Sequence, residues 1–428
     1  MNILIFPSGS AVAQEIYDSL KYVKNVTIFG TDVDHSNYSS IYFKNYIPGC
    51  PFVKNENETI SFLQNIITCN NIHYIFPAFD NVLEFLKRNE TSFTSKIISP
   101  ELNTIQICNS KLITYNKLKM VIPTPIMYDK NNITDNHYPL YVKPITGYGS
   151  RNHSIIHNKN DMERVDTTSM LILELLTGDE FTVDCFTDFN GNLLYNQARQ
   201  RIRTINGISI HSKIVDLDTS EMALKINKHI RMNGPWFFQV KYSIDGQLKL
   251  LEIACRIPGA MCVNRVRGIN FAWLSILNIE RKNIEPLFYN DIPVECIKMF
   301  KNIYRTNFVY NNIYCDLDDT LILDDKVNVE LIAFLFKSSN NHKNIYLITR
   351  NENPENVLEH HKININIFNN IIKLSKIKDN SGNYIDKKSS YIQNNNSIFI
   401  DDSYIEKIDV KSVCGILCFS PSEIELLL

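Results

Sequence analysis

Short apolar runs alternate with amphipathic segments along the first hundred residues. Apolar runs at Asn2–Phe6, 26–29 and 72–76 predict strands, and the pattern at 11–22 predicts a helix. Strands that alternate with helices are typical of a parallel sheet covered by helices. The sequence therefore predicts a small parallel α/β domain up to about residue 105. The segment 7–10 leads into the first helix but lacks G-x-G-x-x-G, so dinucleotide binding is unsupported.

A short apolar strand at 140–142 is followed by a basic residue and a loop of small residues. Gly147, Gly149 and Ser150 keep side-chain bulk away from this loop, so backbone N–H groups can approach an anion. Lys143 supplies a point charge beside it. Because the lysine precedes the glycines, the segment is not a Walker loop. The pattern favours phosphate binding, with an ordinary tight turn as the alternative.

Acidic and amide side chains follow on the next predicted strands. Glu174 ends an apolar strand, and Glu180 opens an alternating strand after a turn. Gln239 and Glu252 lie on two apolar strands joined by an Asp-Gly hairpin signal at 245–246. An antiparallel pair would bring Gln239 and Glu252 together on one face. Their oxygens could then hold a divalent cation.

The order of these features along the chain resembles that of the ATP-grasp enzymes. The features are the basic loop, the two glutamates, the pair of Gln239 and Glu252, and Arg256. The similarity is to the branch of biotin carboxylase and the carbamoyl phosphate synthetase large subunit, and it covers about residues 1–305. It implies an ATP-grasp fold preceded by a Rossmann-like domain, with ATP and magnesium or manganese as cofactors. It also implies a ligase that joins a carboxylate to an amine through an acyl phosphate.

The resemblance implies a role for each residue that matches the nucleotide, metal and substrate sites of the family. The ATP phosphates would be contacted by Lys111, Lys143, Gly147, Gly149 and Ser150, adenine by Glu174 and the backbone of Leu175 and Leu176, and ribose by Glu180. Magnesium would be held by Gln239 and Glu252, the substrate by Arg201 and Arg203, and the reacting carboxyl or acyl phosphate by Arg256. Asp80 is a further substrate candidate on a different ground, since it lies beyond the carboxyl end of a strand, where α/β domains place ligands.

One position departs from the family pattern. The family usually has Glu-x-Asn-x-Arg on the metal strand, and here Ala254 stands where the asparagine is expected. An alanine cannot ligate a metal, so a second magnesium would need phosphate oxygens and water, or another residue such as Asn264. Loss of ligase activity is therefore an alternative. The other motif residues stay in register, which favours activity.

Several of these residues have ordinary structural alternatives. Asp80 would serve equally well as a helix N-cap, and Glu180 as the partner of a cross-strand salt bridge. Arg201 and Arg203 alternate along a strand, so they are expected on one face, which could be a solvated surface. Glu252 is harder to explain in this way, because an unpaired carboxylate within an apolar run is costly.

After about residue 305 the pattern changes to that of a second α/β sheet. Apolar strands end at the D-x-D-x-T segment 316–320, at Thr349 and at Asp401, and Lys388 stands before the last of them. The carboxyl ends of parallel strands meet at one edge of a sheet. We therefore expect these four groups to lie together.

Over residues 310–428 these four motifs resemble the haloacid dehalogenase-like hydrolases, which have a small doubly wound α/β fold. The resemblance implies a phosphatase in which Asp316 forms an aspartyl-phosphate and Asp318 acts as acid and base. Thr349 and Lys388 would bind the transferring phosphate. The magnesium ligands would be Asp316, Asp318, Asp401 and Asp402. A metal-binding relic is the alternative.

Bulk properties narrow the function classes. A chain of 428 residues predicts two or three domains, and a net charge of -2 gives no electrostatic reason for a nucleic-acid or membrane partner. Ten cysteines without a C-x-x-C pair indicate reduced thiols, which predicts a cytoplasmic protein. The apolar run at the start is broken at 7–10, so we expect no signal peptide.

The sequence thus predicts a multidomain α/β and α+β protein with domains at 1–108, 109–305 and 310–428. It predicts a bifunctional enzyme that acts on a small-molecule carboxylate, an amine and a phosphorylated small molecule. No nucleic-acid or membrane partner is expected, and a homo-oligomer is left open. Two alternatives remain: a phosphatase that carries a non-ligating ATP-binding module, and an N-terminal kinase.

Overall fold

The computed structural model describes residues 1–34, 36–147, 152–166, 168–299, 301–393 and 396–427. The chain forms two compact units, Met1–Lys301 and Asn302–Leu428, called the N-terminal and C-terminal units below. The boundary between them lies a few residues before the predicted position 305. A further division of the N-terminal unit at residue 108 stays a prediction.

The N-terminal unit begins with the expected parallel α/β arrangement. Its elements are β1 (Asn2–Phe6), α1 (Ala11–Leu20), β2 (Thr27–Thr31), α2 (Ser39–Tyr42), β3 (Asn45–Ile47), α3 (Glu56–Asn70), β4 (Ile72–Pro77), α4 (Asp80–Arg88), β5 (Lys96–Ile97) and α5 (Leu102–Asn109). The strands are parallel in the order β3-β2-β1-β4-β5. The Ser10 hydroxyl accepts a hydrogen bond from the Ala13 backbone N–H and so fixes the start of α1.

The rest of the N-terminal unit is built on two antiparallel sheets. Its elements are α6 (Lys111–Leu118), β6 (Leu140–Pro144), β7 (Ser154–Ile156), α7 (Lys159–Glu163), β8 (Met170–Glu174), β9 (Glu180–Thr187), β10 (Leu193–Ile205), β11 (Ile208–Ile214), α8 (Ser220–Ile230), β12 (Gly234–Tyr242), β13 (Leu248–Ala254), α9 (Cys262–Arg265), α10 (Phe271–Ile279) and β14 (Glu295–Ile297). The small sheet has the order β7-β6-β8, and the large one β13-β12-β9-β10-β11-β14.

The two faces of the six-stranded sheet differ in character. Val183, Phe238 and Ile253 point to one face, where they form a buried apolar core with residues of α5, α6 and α8. Successive side chains of a strand point to opposite faces. The residues between these apolar positions therefore face the other way, and many of them are polar. That polar face carries the first candidate site.

The C-terminal unit is a smaller parallel α/β fold. Its elements are β15 (Asn312–Cys315), β16 (Ile322–Leu323), β17 (Lys326–Val327), α11 (Val329–Asn340), β18 (Asn344–Thr349), α12 (Pro354–His360), β19 (Asn370–Lys373), β20 (Ser397–Ile400), α13 (Tyr404–Cys414) and β21 (Leu417–Phe419). The five-stranded sheet is parallel in the order β19-β18-β15-β20-β21, and β16 and β17 form a short hairpin.

Short 3-10 turns join several of these elements. They span Glu90–Ser92, Lys130–Asn132, Asp135–His137, Ile365–Ile367, Lys388–Ser390 and Pro421–Leu426. None of the helices formed by the described residues is long and apolar enough to cross a membrane.

Candidate active site

A row of polar side chains crosses four strands of the six-stranded sheet. Arg199 on β10 is paired in register with Thr182 on β9, Thr182 with Gln239 on β12, and Gln239 with Glu252 on β13. Directly paired residues of antiparallel strands point to the same face. The prediction that the hairpin at 245–246 brings Gln239 and Glu252 together is therefore confirmed.

Gln239 and Glu252 offer oxygen ligands of the kind that magnesium prefers. The side chain of Glu252 is 36% exposed, and its Oε2 atom lies 3.9 Å from the Lys111 Nζ atom. This long contact leaves the carboxylate able to accept a cation. The donor set fits one divalent ion, although the role of both residues as ligands stays a prediction.

Position 254, where the family has a metal-binding asparagine, lies in the row of paired residues next to Gln239 and Glu252. Ala254 is buried and pairs with Phe237, whose other neighbour is Asp184. Asn264, considered above as a substitute ligand, is fully buried in a separate hydrogen-bond network. Its amide donates to Asp184 Oδ2 at 2.7 Å, and its Oδ1 atom accepts from the Tyr195 hydroxyl at 2.9 Å. Asn264 is therefore occupied and does not replace the missing asparagine.

Lys143 lies at the end of β6 with a buried ammonium group. Its Nζ atom donates to the Tyr115 hydroxyl at 2.8 Å and to the Leu251 carbonyl at 2.9 Å. Burial lowers the pKa of Lys143 to about 7, although the negative charge of Glu252 acts in the opposite direction. The amine is therefore near its titration midpoint at neutral pH and gains its charge most readily when an anion arrives.

The loop after Lys143 is tied to the start of α6. The Lys111 Nζ atom donates to the Gly147 carbonyl at 2.8 Å, and the Lys111 N–H donates to the Ile145 carbonyl. Gly147 has a φ of 133°, a conformation that other residues rarely adopt. The structure thus brings the two lysines to the same loop. Gly149 and Ser150 lie outside the described residues.

Glu174 organises the segment that follows β8. Its Oε1 atom accepts from the Ile126 backbone N–H at 2.9 Å and is ion-paired with Lys249. Leu175 and Leu176, expected at adenine, come next and lead to Gly178. There the backbone approaches β12 so closely that an added Cβ would lie 2.5 Å from the Tyr242 Cβ atom.

Glu180 and the arginines of β10 are arranged differently from the expectation. Glu180 forms a short ion pair with Arg201, which is the cross-strand salt bridge considered as its alternative role, and Arg201 also donates to the Gly207 carbonyl at 2.7 Å. Arg203 is exposed. The pairing register shifts between Arg201 and Arg203, which breaks the regular alternation on which the expected shared face depended.

Arg256 and Asp80 form a bidentate ion pair. The Arg256 Nε and Nη2 atoms donate to the two Asp80 carboxylate oxygens at 2.8 and 2.7 Å. The guanidinium also lies 5.5 Å from the centre of the Phe237 ring. Asp80 is the first residue of α4, and the N-cap position belongs to Phe79. Asp80 thus holds Arg256 in place instead of capping the helix.

A buried ion pair on this face was not predicted from the sequence. Arg199 donates to Asp184 at 2.8 and 3.2 Å, and both side chains are almost fully buried. The Arg199 Nη1 atom and the neighbouring Thr182 hydroxyl are buried and have no hydrogen-bond partner among the residues that the structure describes. The alternation of polar residues along β9 indicates that Asp184 shares a face with Glu180 and Thr182. It does not indicate which residue of another strand pairs with Asp184.

The C-terminal unit gathers its motif residues at one edge of its sheet, as predicted. The neighbouring parallel strands β15, β18 and β20 end next to Asp316, at Thr349 and next to Asp401. The Lys388 Nζ atom lies 2.8 Å from Asp316 Oδ1 and 2.7 Å from Asp401 Oδ2. Thr349 is fully buried, and its hydroxyl accepts from the Asn351 N–H at 3.0 Å.

Burial and charge determine the protonation of this cluster. Burial raises the pKa of Asp316 to about 7, although the ammonium group of Lys388 opposes the shift. Burial also raises the pKa of Asp401. For Lys388, burial disfavours the charge, but the two carboxylates outweigh it and raise its pKa. Lys388 supplies one positive charge against the two carboxylates of Asp316 and Asp401. The cluster therefore favours the binding of a cation that would compensate the remaining negative charge.

Three carboxylates of this cluster can hold a divalent cation. Oxygens of Asp316, Asp401 and Asp402 lie within 4.8 Å of one another. Thr320 orients Asp402 through a hydrogen bond of 3.0 Å to its Oδ1 atom. Asp318, also expected as a ligand, does not join them. Its exposed carboxylate accepts a hydrogen bond from the Asn351 amide at 2.9 Å instead.

Comparisons with known proteins agree with the architecture of the N-terminal unit. Residues 166–297 match the family described as ATP-grasp in the biosynthetic pathway with Ter operon. The biotin carboxylase of Campylobacter jejuni is 17% identical, with a TM-score of 0.56 over 65% of this chain and 70% of that chain. The L-amino acid ligase of Bacillus licheniformis is 14% identical, with a TM-score of 0.54 over 67% and 77%.

N5-carboxyaminoimidazole synthetase of Staphylococcus aureus is a third similar structure. It is 16% identical, with a TM-score of 0.51 over 66% of this chain and 77% of that chain. No curated protein matches the chain significantly. The polar face of the six-stranded sheet lies within the matched residues 166–297. The N-terminal unit therefore has an ATP-grasp fold, within a chain of mixed α/β architecture.

Proposed function

We propose that the N-terminal unit is a ligase that uses ATP and magnesium to join a small-molecule carboxylate to an amine through an acyl phosphate. The observation that carries the proposal is the paired Gln239 and Glu252 on the polar face, with Lys111 beside Glu252 and Lys143 close by. Among similar structures, one is named an L-amino acid ligase, and another is a carboxylase domain in complex with MgADP and bicarbonate.

The residues of this chain would divide the work as follows. Lys111 and Lys143 neutralise the phosphates of ATP at the loop that contains Gly147. Gln239 and Glu252 hold magnesium, which when bound screens the charge of the phosphates. Arg256, fixed by Asp80, stabilises the negative charge of the carboxylate as it approaches the γ-phosphoryl group. Glu180 is proposed at the ribose, and the backbone of Leu175 and Leu176 at adenine.

We propose a second activity for the C-terminal unit, a phosphatase that works through an aspartyl-phosphate on Asp316. The proposal is supported by the geometry of its residues alone. Lys388 and Thr349 would hold the phosphoryl group, and Asp318 would transfer the proton to the leaving oxygen and then activate water. A magnesium ion held by the carboxylate cluster would let the anionic carboxylate approach an anionic phosphate.

The remaining assignments belong to the same proposal. The domains would be 1–108, 109–305 and 310–428, and the phosphorylated substrate would be a small molecule. The ten thiols, all free in the structure, favour the cytoplasm. Self-association is supported only by a similar carboxylase domain that is named as a dimer.

An alternative function of the N-terminal unit, ATP binding without ligation, is supported by one observation. Ala254 is buried and Asn264 is engaged with Asp184 and Tyr195, so neither residue supplies a third side-chain ligand beside Gln239 and Glu252. A module that binds ATP without ligating would share this feature. A kinase would form ADP without any amine.

The test is ADP release from magnesium-ATP with pools of carboxylic acids, with and without pools of amines. Wild type is compared with Glu252→Ala, Asp316→Asn and the control Glu221→Ala, which removes an exposed carboxylate that forms an ion pair with Lys225. We expect amine-dependent ADP release that is lost in Glu252→Ala alone. Phosphate release from phosphorylated small molecules should be lost in Asp316→Asn alone. ADP release without amine dependence would refute the ligase.

A further inference from the structure

A second group of metal-ligating side chains lies in the C-terminal unit, away from the carboxylate cluster. It consists of Asp325, His360 and His361, whose ligand atoms lie within 4.8 Å of one another. The proposed phosphatase chemistry uses none of these three residues.

The local structure fixes where each of the three side chains can reach. Asp325 lies in the tight turn between β16 and β17 and has a φ of 58°, as the turns of two-residue hairpins require. His360 is the last residue of α12, and His361 is its C-cap. The two imidazole rings have centroids 4.9 Å apart and planes at 86°. The two rings are thus nearly perpendicular, while each offers a nitrogen within 4.8 Å of an Asp325 carboxylate oxygen.

One distance within the group already matches that of a bound ion, and the other ligand atoms lie within 4.8 Å. In a tetrahedral zinc site with bonds of about 2.0–2.1 Å, neighbouring ligand atoms are separated by about 3.3 Å. The His361 Nε2 atom lies 3.2 Å from the Asp325 Oδ1 atom. The His361 side chain is only 10% exposed, so its ring direction is set by packing, whereas Asp325 is 82% exposed and free to adjust. A small rotation of Asp325 and His360 would complete the geometry.

We propose that Asp325, His360 and His361 form a site for a divalent transition-metal ion of the zinc class. Two imidazole nitrogens and one carboxylate favour zinc over magnesium or calcium, which prefer oxygen ligands only. Three protein ligands leave one position for water. A simple ion pair is a weaker explanation, because an exposed pair contributes little free energy and does not require the second histidine.

The site would join two elements that flank the Asp316 cluster. The hairpin β16–β17 directly follows the D-x-D-x-T segment, and α12 follows Asn351, whose amide holds Asp318. A bound ion would hold the hairpin against the end of α12 and restrain two segments near Asp318: the hairpin that follows it and the segment that carries Asn351. The proposal does not depend on the phosphatase assignment, since it rests on the three ligands alone.

The test is zinc binding to the full chain by calorimetry, with excess magnesium present to occupy the carboxylate cluster. We expect one zinc equivalent in wild type and in Asp316→Asn. Affinity should fall by more than about tenfold in His360→Ala/His361→Ala and in Asp325→Ala, since loss of even an outer-shell partner costs that much. The matched control His153→Ala/His157→Ala removes two exposed imidazoles elsewhere and should leave binding unchanged.

Two further measurements distinguish this site from other metal-binding groups. Cobalt(II) bound to the site should show visible absorption bands without a thiolate charge-transfer band. Zinc binding should slow backbone hydrogen exchange in residues 322–327 and 354–361. Circular dichroism must show that the variants are folded. If the double histidine variant does not fold, Asp325→Ala still tests the site, because Asp325 is exposed. Unchanged zinc affinity in both site variants, no binding by wild type, or cobalt-thiolate bands from cysteines such as the Cys262 and Cys296 pair would overturn the proposal.

Discussion

At the scale of single residues, the buried amine of Lys143 combines a lowered pKa with a position beside a proposed phosphate site. In the free protein its pKa is about 7, because burial disfavours the ammonium form. Phosphate oxygens favour the charged form, so nucleotide binding should raise this pKa. At pH 8 the free amine is mostly neutral and the bound amine is charged, so binding takes up a proton.

We therefore predict uptake of about one proton per nucleotide at pH 8, and less at pH 6, where the free amine is already charged. Calorimetry of ADP binding in buffers of different ionisation enthalpy measures this number. The variant Lys143→Arg is the control, because arginine stays charged throughout and should bind without proton uptake. Equal uptake by wild type and Lys143→Arg would assign the proton to another group.

The ion pair of Arg199 and Asp184 gives a second prediction at this scale. Asp184→Asn removes one charge of a nearly fully buried pair and leaves Arg199 uncompensated. We predict a loss of about 3–5 kcal/mol in the free energy of unfolding of the N-terminal unit. Both tryptophans, Trp236 and Trp273, lie in this unit, so their fluorescence during urea unfolding reports on it alone.

Arg203→Ala is the matched control for this measurement. It removes an exposed arginine from β10, the strand that carries Arg199, and should change the free energy of unfolding by no more than about 0.5 kcal/mol. A comparable loss in both variants would mean that strand β10 itself, and not the buried pair, is sensitive to charge.

At the scale of elements, the approach of the segment after β8 to β12 can be tested at Gly178. An added Cβ would meet the Tyr242 Cβ atom at 2.5 Å and the Tyr242 carbonyl oxygen at 3.0 Å, so the backbone would have to move. Because Leu175 and Leu176 are proposed to contact adenine, Gly178→Ala should weaken ADP binding by about tenfold or more. Gly259→Ala is the control, since its added Cβ meets nothing closer than 3.5 Å. Equal affinities in the two variants would contradict this placement of the adenine contact.

Strand pairing was the part of the site that the sequence could predict. Gln239 and Glu252 meet because the turn at 245–246 sets the register of β12 and β13, and both signals are local. The sheet edge that gathers Asp316, Thr349 and Asp401 was predictable for the same reason, since each residue follows an apolar run.

Contacts between distant segments could not be predicted in this way. Asp184 meets Asn264, 80 positions away, and Asp80 meets Arg256, 176 positions away, and no local pattern encodes such distances. The irregularity between Arg201 and Arg203 depends on how β10 pairs with β11. The direction of the Asp318 side chain depends on Asn351, which lies on the following α/β connection.

At the scale of the whole molecule, each unit has a core of its own. Trp236 and Phe238 belong to an apolar cluster of the N-terminal unit, and Leu331 and Phe334 to one of the C-terminal unit. Between the last strand of the first unit and the first strand of the second, residues 302–311 form neither helix nor strand, and residues 301–307 are all exposed. A chain segment of this kind is a preferred site of proteolysis.

We predict that brief trypsin treatment cuts first after Lys301 or Arg305 and gives two fragments that stay folded, because neither core loses a residue by this cut. The fragments are identified by mass spectrometry. The larger should keep the tryptophan fluorescence of the intact protein, and the smaller should keep the phosphate release that depends on Asp316. Thermolysin, which cuts before apolar residues, is the control for sequence preference and should also cut between 302 and 311. Initial cleavage inside either core, or loss of secondary structure in the smaller fragment, would show that the two units do not fold independently.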